Sequence, residues 1–144
     1  MFEITSLIQL ITCSFLTGLI WVIQLVHYPS FHYVDRKKFL AFNQYHQAAI
    51  TVIVLPMMIF ELLSALTLFY LFPRTSIYQA SLTLVVIIWL STFLLSVPCH
   101  NKLLKEKNSA TIKTLVKTNW IRTVAWTARL AISSYLVFQL MIEK

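Results

Sequence analysis

Apolar residues along this chain gather in four long blocks separated by short polar stretches, covering about residues 6–26, 48–72, 79–98 and 120–141. An α-helix needs about 20 mostly apolar residues to cross a bilayer. Within lipid every backbone N–H and C=O needs a partner, and a helix supplies these from its own segment. The pattern therefore predicts an all-α, four-transmembrane-helix bundle running up-down-up-down. The stretch YVDRKKFLAFNQYHQ keeps helical spacing ahead of the second block, which predicts an interfacial helical extension before the second span. Pro56 falls inside that block and predicts a kink. The first block runs into the bulky WVIQLVHY at 21–28 rather than into small residues, so it reads as an uncleaved span and not a signal peptide.

Composition agrees with the pattern. Of 144 residues, 58% are hydrophobic and 12% charged, where a soluble domain carries about 25% charged residues. Glycine and proline are scarce, and one domain covering 1–144 is expected. The net charge of +7 does not point to nucleic acid, because it lies in short runs between apolar blocks. Arg36, Lys37 and Lys38 follow the first span, and Lys102, Lys105, Lys107, Lys113 and Lys117 follow the third. Arg74 and Lys144 stand on the opposite side. Positive charge is retained on the cytoplasmic side, so loops one and three are expected to be cytoplasmic and both termini outside, in a bacterial-type inner (plasma) membrane. The bilayer is the one partner this implies directly. Four spans are few for a self-contained site, which leaves a homodimer open.

The topology then places the histidines. His27 ends the first span, His32 follows it, His46 precedes the second and His100 ends the third, so all four reach the same side. Asn101, Asn119 and Arg122 fall at that level. Imidazoles move protons near neutral pH and bind metals; they also favour interfaces because a polar tip sits on an apolar body. No HExxH pattern is present, so His27, His46 and His100 are metal or haem candidates by convergence alone. Trp21, Tyr28, Tyr45, Trp89, Trp120 and Trp126 are an aromatic stock able to line a flat ligand pocket or to form an interfacial belt, and Tyr28, Tyr45 and Trp120 are assigned to the belt by default. Cys13 and Cys99 lie at different depths and are not expected to pair.

Two charges are predicted deep in lipid. Glu61 lies within span two and Arg129 within span four. Ionisable groups at such depth are costly and are usually paired and functional. Asn119, Arg122, Trp126 and Arg129 share one face of span four, and Asn43, Gln47, Val54 and Glu61 share one of span two. The two stripes are expected to face each other, with Glu61 and Arg129 as an ion pair and Arg122 turned toward the histidines. The bland alternative is a salt bridge that only fixes helix register.

VPCHNKL at 97–103 followed by LVKTNWIRTVAWTARLA resembles the anthrone-oxygenase-like family of small four-helix membrane proteins. Pro98, Leu103, Asn119, Arg122 and Thr123 occupy the matching positions, with Asn101 one residue later than the pattern, and the likeness covers roughly residues 97–130. The resemblance implies oxidation of a flat, activated aromatic carbon by dioxygen without an obvious cofactor.

The reading expected to hold is a membrane oxygenase or oxidoreductase acting on a lipid-soluble aromatic or quinone-like molecule. His100, His46, His27 and Arg122 are its catalytic candidates, with Asn101, Asn119, Trp126, Glu61 and Arg129 as substrate-binding candidates. The alternatives are a non-enzymatic four-helix module, as a subunit or small-molecule carrier, and a haem- or metal-binding protein.

Overall fold

The computed structural model describes residues 2–142; Lys144, one of the two charges expected on the outer side, lies outside them. The described residues form four helices long and apolar enough to cross a membrane: α1 (Phe2–Ser30), α2 (Arg36–Leu71), α3 (Ser76–Leu103) and α4 (Ser109–Ile142). They alternate in direction through three short connections. Each helix is longer than its apolar block. Lys102 belongs to α3, Lys113 and Lys117 to α4, and Arg36 to Lys38 open α2, so most of the charges expected in loops sit on helix ends. Internal backbone hydrogen bonding continues past the edge of the apolar block, because lysine and arginine cost a helix little. The extension ahead of span two is the first part of α2 itself, and α2 runs through Pro56 without interruption.

Local capping fixes the starts. Asp35 accepts a hydrogen bond from the Lys37 amide at 2.8 Å, and Asn108 accepts one from the Thr111 amide at 3.0 Å, each satisfying an orphan N–H of a first helical turn. Lys107 donates to the carbonyls of His32 and Val34 at 2.8 and 2.6 Å and lies over the Phe39 ring. The third connection is thereby tied to the first.

The helices pack as a ring in which α1 meets α2 and α4, and α3 meets α2 and α4, while the diagonal pairs do not approach closely. Neutral polar side chains join α1 to α4. Gln9 donates to Ser133 at 3.1 Å, Thr17 to the Trp126 carbonyl at 3.1 Å, Gln24 to the Val116 carbonyl at 3.1 Å, and Asn119 to Gln24 at 2.7 Å. In lipid, where burial of apolar surface does not drive helix association, such bonds and close packing take over that role.

Two π-turns interrupt the α-helical winding, at Ile23–His27 in α1 and Thr92–Ser96 in α3. Each runs up to one residue short of an X-Pro pair: Pro29 follows Tyr28, and Pro98 follows Val97. Proline lacks the N–H that would bond the carbonyl four residues back, and its ring crowds that carbonyl. The preceding amide bonds five residues back instead, from Tyr28 to Ile23 and from Val97 to Thr92.

Candidate functional site

Side chains bridge both diagonals of the ring, at two different depths. In the middle of the bundle, α2 and α4 are joined by Glu61 and Arg129, 3.2 Å apart and both fully buried. Glu61 also accepts from the Trp126 indole at 3.0 Å and from the Cys13 thiol at 3.2 Å, and Arg129 donates to the Ser81 carbonyl at 3.1 Å. The carboxylate is thus held by three groups, whereas Arg129 Nη2 is buried without a hydrogen-bond partner. Glu61 with Arg129 is the pair the sequence predicts.

At the end carrying the basic connections, α1 and α3 are joined by Tyr28 and His100, with the hydroxyl 3.0 Å from Nε2. Arg122 donates to the same hydroxyl at 3.3 Å and to Asn119. Tyr28 is therefore no belt residue. It is 4% exposed and stands between an imidazole and a guanidinium. The π-turn and Pro29 just before and after it reset the facing of α1 at this point, which sequence spacing alone does not reveal. Trp120 and Tyr45 are exposed, as belt residues are.

The other histidines extend this group. His27 Nε2 lies 2.8 Å from His46 Nδ1, and the His46 and His100 rings are 5.8 Å apart. Phe31 packs edge-on against both His27 and His46. His46 Nε2 and His100 Nδ1 are buried and have no protein partner. His32 is exposed in the first connection. Among the described residues no three or more His, Cys, Asp or Glu side chains form a group able to hold a metal ion. Cys13 and Cys99 are free thiols, unpaired as expected.

Between the two bridges lies a cavity of about 320 Å³. His100, Arg122, Asn101 and Trp126 line it, together with Tyr28, Gln47 and the apolar Leu16, Ile20, Met58 and Trp89. The inward face of α2 shows the same feature in its burial. Buried positions stop at His46 and resume at Met58, and the intervening Gln47, Ile50 and Val54 face the cavity. Natural interiors hold few voids larger than a water molecule, so an opening of this size is a built feature. It is roughly twice the volume, about 150 Å³, that takes up benzene in an engineered core.

Of the sequence candidates, His100, Arg122, Asn101 and Trp126 meet at the cavity. His27 and His46 stand behind His100. Asn119 is fully buried and holds Arg122 in place without reaching the cavity, and Glu61 and Arg129 are sealed beyond Trp126. Sequence reasoning missed Tyr28, and it missed Gln9, Cys13 and Gln24. Their signal was present: Ser6, Gln9, Cys13, Thr17 and Gln24 recur along one face of the first span.

Compared with known proteins, no family model, no curated protein and no solved structure matches this chain.

Proposed function

We propose that this protein is a membrane-embedded oxidoreductase of the oxygenase type, acting on a flat, lipid-soluble aromatic that carries a hydroxyl or keto group. The observation that carries the reading is one hydroxyl, that of Tyr28, held between His100 and Arg122 at the polar end of a mainly apolar cavity. A pocket of this build takes an apolar body and fixes one polar group. His100 accepts the proton from the activated C–H or O–H of the substrate. Tyr28 and Arg122 hold the anion that forms, in a site with little water. The electron-rich anion then reduces dioxygen. For a methylene between two aromatic rings, one dioxygen gives the carbonyl and one water, which balances without a further reductant. His46 and His27 lead from His100 toward the basic end of the bundle and carry the proton away, the step from His100 to His46 needing a bridging water because no hydrogen bond joins the two rings. The Glu61–Arg129 pair supports the site by holding Trp126 through its indole N–H. The lysines and arginines gathered at this end support a cytoplasmic position for it, with both termini outside.

The test is dioxygen uptake by purified, nanodisc-embedded protein given anthrone and a panel of quinols and phenols. Wild type is expected to consume dioxygen with at least one of them, and His100→Ala to lose that consumption. If no compound supports uptake while one of them still binds saturably, the non-enzymatic carrier reading replaces this one.

A further inference from the structure

The cavity is not closed on all sides. Its walls on α1 and α4 are buried or half-buried, Leu16, Ile20, Arg122 and Trp126 among them. Its lining residues on α2 and α3 include five that are exposed: Thr51 and Leu55 on α2, and Phe93, Val97 and Asn101 on α3. These two helices approach along Ser76–Ser91 and again along Val97–Leu103, but not along the π-turn Thr92–Ser96 between them. The wide turn and the missing backbone approach coincide with the exposed edge of the cavity.

Depth follows from helix rise. Glu61 lies near the middle of the apolar block of α2, and Leu55 and Thr51 are about 9 and 15 Å from it toward the basic end, at about 1.5 Å per residue. Leu55, Phe93 and Val97 therefore frame an opening at acyl-chain level, and Asn101 marks its headgroup end. An opening framed by apolar side chains at that depth meets lipid and not water.

We propose that this gap is a lateral window onto the leaflet at the basic end of the bundle, and that the ligand is an amphiphile: a flat quinone or quinol head in the cavity with an alkyl or prenyl tail passing out between α2 and α3. This rests on the reading of the cavity as the substrate site. Two observations select a tailed ligand. The volume of 320 Å³ is at the small end of the range for ligand pockets, about 300–1,000 Å³, so it accommodates a head of a few rings and no long chain. The polar groups, His100, Tyr28 and Arg122, lie toward the basic end, while the window opens sideways from the apolar part. A bound head with its oxygen on Tyr28 and Arg122 thus leaves its far edge at the window.

The experiment uses the full chain in nanodiscs and two benzoquinones with the same dimethoxy-methyl head, one without a tail and one with a decyl chain. Kd is expressed per bilayer lipid, so that partitioning cancels. In wild type the tail tightens binding at least tenfold. In Leu55→Phe/Val97→Phe, which narrows the window, that ratio falls below threefold, whereas Val124→Phe, on the lipid face of α4 away from the cavity, keeps the wild-type ratio. If the narrowed variant binds neither quinone, Phe93→Ala decides: it widens the window and must keep or raise the ratio. A tail effect absent in wild type, unchanged by narrowing, or lowered by Phe93→Ala overturns the window. Tail-less quinone that fails to bind wild type overturns the substrate site itself, and the window with it.

Discussion

Removing Arg129 is the sharpest perturbation the bundle offers. Arg129→Met keeps most of the side-chain volume and deletes the charge, leaving the Glu61 carboxylate fully buried with only the Cys13 and Trp126 donors. Breaking a buried ion pair by removing one partner costs about 3–5 kcal/mol, most of it the penalty of the uncompensated charge. Glu61→Gln in the same chain removes that penalty, because a neutral amide oxygen still accepts from the Trp126 indole. The double variant is therefore expected to be more stable than Arg129→Met alone, with a coupling of about 2 kcal/mol or more, within the range for side chains in direct contact. Reversible unfolding in mixed micelles, titrated with sodium dodecyl sulfate and followed by circular dichroism, measures all four corners of the cycle. A cost below about 1 kcal/mol for Arg129→Met, or strict additivity, would show that the pair does not hold α2 to α4 and would refute this argument.

Three further outcomes follow from the site. Tyr28→Phe deletes the hydroxyl shared by His100 and Arg122 and is expected to lower kcat by about 10²-fold, the loss typical of one anion-stabilising donor, with KM little changed in steady-state dioxygen uptake. His27→Ala cuts the outer end of the imidazole series; kcat is expected to fall about tenfold, less than the roughly 10²–10⁴-fold attached to a direct acid or base, and added imidazole restores it because His27 is only half-buried. Pro98→Ala returns the missing N–H to α3 and lets the π-turn rewind as α-helix, which turns His100 by about 100° relative to the residues before it. Thermal stability is expected to hold or rise while activity is lost, measured by melting curves and dioxygen uptake on the same preparation.

The architecture was legible because lipid leaves few choices. Four apolar blocks admit four helices, and the even number of crossings carries His27, His46 and His100 to one end before any contact is known. Glu61 and Arg129 stood out for a similar reason: a lone acid and a lone base at depth have little option but each other. Tyr28 was not legible. An aromatic with a polar tip at a span's end fits the interface equally well, and its inward turn depends on the π-turn beside Pro29. The cavity was hidden too. Gln47, Ile50 and Val54 follow the same helical face as the buried His46 and Met58, and periodicity does not distinguish a face that packs from one that lines a void. The lengths of α3 and α4 were underread because hydropathy ends at the apolar boundary, whereas helical hydrogen bonding continues to Leu103 and begins at Ser109.

The proposed chemistry requires the cavity between the two diagonal bridges to be a ligand site whose polar end is His100, Tyr28 and Arg122. Trp126, 2% exposed and lining that cavity, is a built-in reporter. In a variant keeping Trp126 as its one tryptophan, with Trp21, Trp89 and Trp120 changed to Phe, quinone titrated into nanodiscs is predicted to quench its fluorescence saturably at one molecule per chain. Arg122→Gln in that background is predicted to shift the midpoint at least tenfold. Quenching that rises linearly with quinone in the bilayer, and is indifferent to Arg122, would mean that the ligand never enters the bundle.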